Sequence, residues 1–421
     1  MTLLLILLLG LIFISVPIFL SIGLSTLTAF VLSDLPLFMI PQKMFDGVNA
    51  YVLLAVPLFM FAGSLMDHGG MSKRLVDLSE ALVGHLQGGL AMTSILSSML
   101  FAGVSGSAAA DTAAVGSVLI PSMKEKGYDK NFAASVVATG GSIGVIIPPS
   151  IPMIIFAFIA NISVGKLFLA GILPGILIGL SLMILVIFLS RRMHHHEEKH
   201  TFDAGKLWRA FTRAVWALGI PFIVVGGILG GLFTATESAA VAVVYAFLVS
   251  LLVYRSLTWS AIYRAAISAI NTSAIILIII SIATVFSWYL SMNNVQEALS
   301  HFFFSLGDNP ILVVLMINLF LLVMGTFVET TAALILFVPV VTPLLNSLGV
   351  DPLTSGVMIV TNLAIGMLTP PLGICLIVSG TIAQSKVLEI SRAIVPFLLV
   401  MILDLLLITF LPFLTTYLPS L

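Results

Sequence analysis

Residues 140–150 read GGSIGVIIPPS and residues 361–371 read TNLAIGMLTPP, and each stretch interrupts a long apolar run. Consecutive prolines remove two backbone donors, and a proline also disfavours helical backbone at the residue before it. We therefore expect each stretch to leave the helix inside an apolar region, where the freed carbonyl groups need partners. The two Pro-Pro pairs are separated by 222 positions, which indicates a chain built from two related halves.

Further glycine, proline and aspartate positions recur at the same separation of 222 residues. They are Gly103 with Gly325, Pro121 with Pro343, Gly127 with Gly349, Asp129 with Asp351, Gly144 with Gly366, and Pro174 with Pro396. The alignment of the two halves needs no gap. A fixed offset shared by so many conformationally special residues predicts an internal duplication.

The composition places the chain in a lipid bilayer. Of its 421 residues, 60% are hydrophobic and 8% are charged, whereas a soluble domain has about 45–50% and about 25%. The apolar runs are continuous and do not alternate, so we predict an all-α polytopic membrane protein. The net charge of −1 does not favour a nucleic-acid partner, and the single cysteine, Cys375, excludes an intramolecular disulfide.

Two pairs of short apolar helices are predicted, at 88–102 with 108–123 and at 310–324 with 331–345. Each pair is joined by a tip that contains glycine. Because such helices are too short to span about 30 Å of hydrocarbon comfortably, we expect two re-entrant helical hairpins. The N-terminal stretch 3–32 is predicted to be a single retained span, since it lacks the basic region of a signal peptide.

Charge distribution predicts how the two halves are oriented. The connection 124–130 carries three lysines, whereas its counterpart 346–352 carries none. Positive residues favour the cytoplasmic side, so the halves are expected to be inverted with respect to each other. The N-terminus is then cytoplasmic and the C-terminus periplasmic.

This organisation divides the chain into five parts. They are the scaffold helices of the first repeat, 1–66; an arm helix, hairpin one and a broken helix, 67–190; a cytoplasmic connection, 191–216; the scaffold helices of the second repeat, 217–290; and an arm helix, hairpin two, a broken helix and the last span, 291–421. The arms, 72–86 and 294–308, have the pattern of interfacial helices, although a mere connector explains them equally well.

Broken helices paired with hairpin tips are the layout of a secondary transporter. Each tip with the break of its own repeat predicts one site for a small cation. The available ligands are hydroxyl and carbonyl oxygens, which suit a hard monovalent ion such as sodium. The alternative is that the Pro-Pro breaks are plain kinks whose carbonyls are satisfied by neighbouring Ser and Thr side chains.

Acidic residues inside apolar segments are the next candidates, because a charge in the bilayer is costly. Asp111 and Glu329 are predicted at corresponding places, at the start of the second helix of each hairpin. Each could contact substrate or stabilise a helix end. Thr326 with Glu329, and Thr234 with Glu237, fit the capping-box pattern, and for Glu237 we favour this structural role.

Three further features of the sequence allow more than one interpretation. Asp404, on the last helix, faces either another helix or a partner subunit. The pattern at 103–106, GVSG, resembles that of intramembrane serine proteases, but Ser105 would need a histidine base at its own depth. The histidine-rich stretch 194–200 lies in a polar connection, so a solvated loop is favoured over a metal site.

Four motifs together resemble one known family. Residues 105–116 (SGSAAADTAAVG), 147–151 (IPPSI), 231–242 (GLFTATESAAVA) and 369–373 (TPPLG) are similar to the large membrane subunit of tripartite ATP-independent periplasmic (TRAP) transporters. The similarity covers essentially the whole chain. The chain departs from the common pattern at Ser238 and at 330–331, where the family often has alanine and proline, respectively.

The resemblance implies an elevator mechanism, uptake of an organic acid coupled to a sodium gradient, a small four-helix membrane subunit and a periplasmic substrate-binding protein. It also implies site residues. The first sodium site would contain Gly103, Ser105, Gly144, Ile147 and Pro149; the second, Gly325, Thr326, Gly366 and Thr369; and the substrate site, Ser107, Asp111, Ser150, Glu329 and Asn362. Sodium ions would serve as coupling ions, with no other cofactor.

The leading hypothesis is therefore a transporter subunit of a bacterial inner membrane and not an enzyme. Its substrate would be a C4-dicarboxylate, a sialic acid or another sugar acid. The alternative is a stand-alone sodium–dicarboxylate symporter of related fold, which would need no binding protein. A remote alternative is an intramembrane hydrolase that uses Ser105.

Overall fold

The computed structural model describes residues 2–14, 16–192, 202–295, 297 and 309–421. These residues form helices and connections without any strand, as predicted. The histidine-rich stretch 194–200 and nearly all of the second arm, 294–308, lie outside the described residues.

The first half contains ten α-helices. They are α1 Thr2–Phe13, α2 Ile18–Leu32, α3 Met39–Val48, α4 Ala55–His68, α5 Met71–Val83, α6 Gly89–Ser105, α7 Ala108–Glu125, α8 Lys130–Ser142, α9 Ile151–Ile159 and α10 Val164–Arg192. Hairpin one consists of α6 and α7, and the first broken helix consists of α8 and α9.

The described part of the second half continues the numbering. Its helices are α11 Ala204–Leu229, α12 Ala235–Leu248, α13 Trp259–Met292, α14 Pro310–Gly325, α15 Thr330–Ser347, α16 Pro352–Gly366, α17 Ile374–Ala383, α18 Val387–Ala393, α19 Val395–Phe410 and α20 Phe413–Thr416. Hairpin two consists of α14 and α15, and the second broken helix consists of α16 and α17.

Several helices are long and apolar enough to cross a membrane. Among the described residues, six meet this condition: Tyr51–His68, Val164–Arg191, Ala204–Leu229, Ala235–Val253, Trp259–Met292 and Thr330–Ser347. A seventh is obtained if α17 and α18, which are bent by 106°, are counted as one broken span. The chain is thus a multi-pass membrane protein.

The prediction of one N-terminal span over 3–32 is wrong. The structure divides this stretch into α1 and α2, which pack against each other. Pro17 stands immediately before α2 and cannot donate a helical hydrogen bond, and its ring also restricts Val16. The hydropathy pattern does not indicate this break, because a single proline changes the backbone without changing the mean hydropathy.

The duplication seen in the sequence recurs in structural detail. Both ends of α7 and α15 are separated by 222 positions. Each helix ends in the same turn, in which Tyr128 N–H donates to Met123 O, and Val350 N–H to Leu345 O, both at 3.0 Å. The intervening glycines have φ values of +83° and +79°, a conformation that few residues except glycine adopt readily.

The gap-free alignment fails directly after the proline pairs, both of which contain a cis peptide bond. Helix α9 begins at Ile151 and α17 at Ile374, so their separation is 223 positions. The second half has one additional residue here. Ser150 caps α9 with its side chain, whereas α17 is preceded by Gly373 with a φ of +45° and no side-chain cap.

The two halves interlock around the breaks. Hairpin one packs against α8, and hairpin two packs against α16. The second pieces of the broken helices are exchanged, because α17 packs against α7 and α8 of the first half, and α9 packs against α15 of the second. The hairpins and broken helices therefore form one common core.

A second group of helices surrounds α4. Helices α12 and α13 pack against α4, and α13 also contacts α2 and α3. The arm helix α5 lies between the two groups, since it packs against α11 and against α6 of hairpin one. Leu75 and Leu78 of the arm are buried, whereas Leu82 and Leu86 are exposed.

The connection predicted at 191–216 is shorter than expected, because α11 begins at Ala204. Asp203 caps this helix by accepting from Gly205 N–H at 2.8 Å. Hydrogen bonds from the backbone of Lys206 and Gly205 lower the pKa of the Asp203 carboxyl. The Lys206 Nζ also lies 2.9 Å from Glu80 Oε1 of the arm, so the basic first turns of α11 have partners outside the apolar span.

The interlock predicts that Gly356→Val destabilises the fold. A Cβ atom on Gly356 of α16 would lie 2.7 Å from Leu167 Cδ1 and 2.8 Å from Phe156 Cε1, both in the first half. We expect a loss of about 1–3 kcal/mol, the usual range for overpacking, seen as a lower melting temperature of the purified protein. Gly226→Ala, where a Cβ meets nothing within 4 Å, is the matched control. Equal melting temperatures of the two variants would contradict this packing.

Candidate functional site

The tip of hairpin one touches the first break through its backbone. Gly106, between α6 and α7, has a φ of +59°. A Cβ atom on Gly106 would lie 2.9 Å from Pro149 O and 3.1 Å from Ile151 N. The absence of a side chain thus lets the tip approach the break closely. The structure therefore brings the first tip and the first break together, as the predicted cation site requires.

Ser105, Ser107 and Asp111 form a small network at this tip. The Ser105 hydroxyl donates to Asp111 Oδ1 and accepts from Ser107 N–H at 3.2 Å. Ser107 is the N-cap of α7, where its Oγ accepts from Ala110 N–H at 3.5 Å. The side chain of Asp111 is fully buried, and its second oxygen, Oδ2, has no hydrogen-bond partner among the described residues.

The unpartnered oxygen of Asp111 faces the backbone of the break. A Cβ atom on Gly144 would lie only 2.0 Å from Asp111 Oδ2, so the carboxylate occupies the space beside this glycine. A buried carboxylate oxygen without a donor is unfavourable unless a cation or a proton compensates it. The geometry thus places an oxygen ligand with unmet bonding capacity between the tip and the break.

Other residues predicted for the first site have different surroundings. The Ser150 hydroxyl donates to Val145 O at 2.5 Å and accepts from Met153 N–H at 3.3 Å, so it closes the break and caps α9. The side chain of Ile147 packs against Gly175 of α10. A Cβ atom on Gly103 would lie 2.8 Å from Pro221 Cβ, on the side of α11.

The tip of hairpin two touches its break even more directly. A Cβ atom on Gly366 would lie 2.6 Å from Gly325 O, so these two backbones are in contact. Thr369 is close by, and its Oγ1 donates to Ile365 O at 2.9 Å. The Thr326 hydroxyl donates to Val323 O at 2.7 Å. The four residues predicted for the second site thus surround one tip–break contact and supply only neutral oxygens.

Glu329 has a role that the sequence pattern assigned incorrectly. It is itself the N-cap of α15, where its Oε2 accepts from Thr331 N–H at 2.9 Å and from Ala332 N–H at 3.2 Å. The predicted capping box that begins at Thr326 is therefore wrong. Thr326 instead directly follows the end of α14, and its backbone lies in the right-handed helical region. The first residue of a capping box needs non-helical backbone.

The predicted correspondence of Asp111 and Glu329 is also wrong. At the separation of 222, Glu329 corresponds to Ser107, and both are N-caps of the second helix of their hairpin. Asp111 corresponds to Ala333. One tip therefore carries a carboxylate with an unpartnered oxygen, whereas the other carries a carboxylate that is engaged by helical N–H groups.

Asn362, predicted to contact substrate, lies inside the helix packing. It is fully buried one turn before Gly366, and its amide donates to Asn318 Oδ1. The Asn318 amide in turn donates to Val314 O at 3.1 Å. The Asn362–Asn318 contact thus joins α16 to α14. The Asn362 Oδ1 has no partner among the described residues.

One neighbour of the first tip was missed by the sequence analysis. Cys375, in the first turn of α17, interacts with the Thr112 hydroxyl and with Asp111. Nothing in the local sequence could have indicated this, because Cys375 belongs to the second half and reaches the first tip only through the exchange of the helix pieces.

The remaining candidate residues have a structural role or lie away from the two tips. Thr234 and Glu237 form the predicted capping box, with Thr234 N–H donating to Glu237 Oε2 at 2.8 Å and Glu237 N–H to Thr234 Oγ1 at 3.3 Å. Of the described histidines, His68 hydrogen-bonds Ser64 O and His85 packs on the ring of Phe202. Neither of them supplies a base to the serine at the first tip.

A separate cavity of about 500 Å³ lies between the α9–α10 connection and the α11–α12 connection. Its polar lining includes Tyr51, Asn161, Ser163, Thr234 and Thr236. None of the residues predicted for the cation or substrate sites lines it.

Comparison with known proteins gives consistent results. The isethionate TRAP transporter permease protein DctMQ of Oleidesulfovibrio alaskensis is 38% identical over 400 residues, which are 95% of this chain and 63% of that protein. The chain thus spans less than two thirds of that relative. The C4-dicarboxylate TRAP transporter large permease protein DctM of Rhodobacter capsulatus is 35% identical over 99% of this chain and 98% of its own length.

The fold has a solved counterpart. The crystal structure of the YdaH transporter of Alcanivorax borkumensis superposes with a TM-score of 0.64 and 16% identity, over 90% of this chain and 88% of that one. Residues 5–414 match the family described as tripartite ATP-independent periplasmic transporter, DctM component. Its named relatives are permeases, which excludes the hydrolase alternative. The chain therefore belongs to the DctM component family of TRAP transporters.

Proposed function

We propose that this permease couples the uptake of an organic acid to the entry of sodium ions, by an elevator movement of its interlocked hairpins and broken helices. The observation that carries the proposal is the buried, unpartnered oxygen of Asp111 beside Gly144, at the contact of the first tip with the first break. A small hard cation would satisfy this oxygen together with neighbouring hydroxyl and carbonyl groups.

The position of Asp111 supports a role in cation binding and not in substrate binding. An organic acid is anionic, and a second carboxylate placed against it would repel it. Asp67 on α4 also lies close enough to interact electrostatically with Asp111. We therefore assign Asp111 to the first sodium site, with Ser105 and the backbone of Gly103, Gly144, Ile147 and Pro149.

The second sodium site would consist of Gly325, Thr326, Gly366 and Thr369. Its side-chain donors are neutral hydroxyls, and the direct backbone contact of Gly325 with Gly366 supports its place at the tip. At both sites the ligands come from a hairpin tip and from a break. A bound ion would therefore hold each tip against its break, which explains physically why ion binding and substrate binding are coupled.

The substrate would lie between the two tips. Ser107 and Ser150 are the N-caps of α7 and α9, and the positive ends of such helices favour an anionic group. The N-terminus of α15 is already capped by the carboxylate of Glu329. Asn362 would support the second tip from within the packing. The named substrates of the two relatives, isethionate and C4-dicarboxylates, are organic acids, which supports this class for the present chain.

Movement would divide the chain between two groups of helices. We assign 67–190 and 291–421 to the transport part, and 1–66 with 217–290 to the scaffold, joined by the cytoplasmic connection that ends where α11 begins. The exchange of α9 and α17 between the halves supports a transport part that moves as one body. The arm α5 contacts both parts, as a link between them should.

The setting would be a bacterial inner membrane. The lysines of 124–130 favour the cytoplasmic side, so the two halves would be inverted and both hairpins re-entrant. The N-terminus would be cytoplasmic and the C-terminus periplasmic. A small four-helix membrane subunit and a periplasmic substrate-binding protein would complete the transporter.

Replacing the charged ligand tests the first site. Asp111→Asn removes the negative charge but keeps the side-chain volume, and we expect the sodium concentration for half-maximal uptake to rise at least about tenfold, a change of about 1.4 kcal/mol. The measurement is uptake into proteoliposomes as a function of sodium concentration. Glu125→Gln, an exposed carboxyl at the other end of α7, is the control. An unchanged sodium dependence in Asp111→Asn would remove Asp111 from the site.

Separating a tip from its break tests the second site. In Gly366→Ala the new Cβ would lie 2.5 Å from Gly325 C, so the tip must move away. We expect sodium-dependent uptake to be lost while the purified protein remains folded, with a melting temperature lowered by the overpacking. Gly226→Ala adds the same methyl group in open space. Full uptake by the Gly366 variant would contradict the assigned contact.

The partner requirement separates this proposal from a stand-alone symporter. We expect proteoliposomes that contain this chain and the small subunit to take up substrate from dilute solution only when the binding protein is added. Uptake by this chain alone, with the same affinity for substrate, would instead support the symporter.

A further inference from the structure

Asp404 is a buried acidic residue that the proposed transport site does not use. It lies in the middle of α19 and is 4% exposed. Helix α19 packs mainly against α10 and α16, and also against α8 and α18. The position is thus inside the transport part but is not among the residues of either tip or either break.

The Ser181 hydroxyl lies between the Asp404 carboxyl group and a backbone carbonyl. Ser181 Oγ on α10 is within hydrogen-bond distance of Asp404 Oδ2 and lies 2.8 Å from Ile178 O. A serine hydroxyl has one proton to donate. If Ser181 donates to Ile178 O, its contact with Asp404 is a hydrogen bond only when Asp404 carries a proton. When Asp404 is protonated, consecutive hydrogen bonds join its carboxyl group, the Ser181 hydroxyl and the Ile178 carbonyl.

Among the described residues, no positive charge compensates an ionised Asp404. The charged residues on the helices packed against α19 lie at the helix ends: Lys130 on α8, Lys166, Arg191 and Arg192 on α10, and Glu389 and Arg392 on α18. Helix α16 carries none. Lys130 pairs with Glu389 at 3.4 Å, and none of the described ion pairs includes Asp404. An ionised carboxylate would therefore be buried without a counter-ion, which is costly in a membrane helix.

We propose that Asp404 is a proton-binding site at the interface of the two halves. Its carboxyl group donates to Ser181, and Ser181 donates to the carbonyl of Ile178. Loss of the proton leaves an uncompensated negative charge between α10 and α19 and weakens their packing. Rising pH therefore destabilises the transport part and slows uptake, independently of the sodium sites.

Infrared spectroscopy of the purified chain tests the protonation state directly. At about pH 5, where an ordinary aspartate is ionised, we expect the carbonyl band of a protonated carboxyl in the wild type and its loss in Asp404→Asn, whose amide can still donate to Ser181. Ser181→Ala keeps Asp404 but removes its partner, so the band should shift in frequency and remain. Glu125→Gln, which changes an exposed carboxyl, is the control and should keep the band unchanged. A band that is the same in the wild type and in Asp404→Asn would overturn the proposal.

The pH dependence of thermal stability is the second measurement. Because the native state would hold one more proton than the unfolded state, stability should fall with rising pH in the wild type more steeply than in Asp404→Asn. The two slopes should differ by at most about one proton. Parallel slopes would overturn the proposal. Sodium dependence of uptake, measured at a single low pH, should be the same in Asp404→Asn and the wild type, so this result is separable from the tests of the sodium sites.

Discussion

The structure depends on one constraint: two proline pairs interrupt helices inside the apolar interior, where a freed backbone group has no water to bond. Each break is covered by the tip of a hairpin, and glycine makes the approach possible. Gly106 lies against the Pro149 carbonyl, and Gly366 lies against Gly325. The carbonyl groups of this irregular backbone would lack hydrogen-bond partners in lipid. Here they lie at the contacts between the tips and the breaks. The cation binding that we propose at these places would use groups that the fold must satisfy in any case.

The second consequence of the breaks is the exchange of helix pieces between the halves. A break lets α9 and α17 leave the direction of α8 and α16 and pack against the opposite hairpin. Neither half can then bury its hairpin alone. Residues far apart in sequence meet at one tip, as Cys375 meets Thr112 and Asp111. Displacing one hairpin would therefore displace a helix of the other half, as the proposed movement of a single body requires.

The two halves share the same backbone framework because of the duplication. Different residues at single corresponding positions give the two tips different chemistry. The N-cap position of the second hairpin helix is Ser107 in one half and Glu329 in the other, and the buried Asp111 corresponds to Ala333. The first tip therefore offers a carboxylate oxygen without a hydrogen-bond partner, whereas the carboxylate of the second tip is engaged by helical N–H groups. The difference is electrostatic, since the backbone turns that end α7 and α15 are alike in both halves.

The sequence by itself determined the membrane class, the duplication, the two hairpins, the two breaks and the family, because hydrophobic length, proline chemistry and short motifs are local properties. It also located the Thr234–Glu237 cap. It failed where the outcome depends on a single backbone position, as at Pro17 and at the extra residue before α17. Only the tertiary structure decided which oxygen of Asp111 is left without a donor, that Glu329 is a cap, and that Asp404 faces Ser181. Those facts depend on which helix lies opposite, and the exchange between the halves leaves no trace in the local sequence.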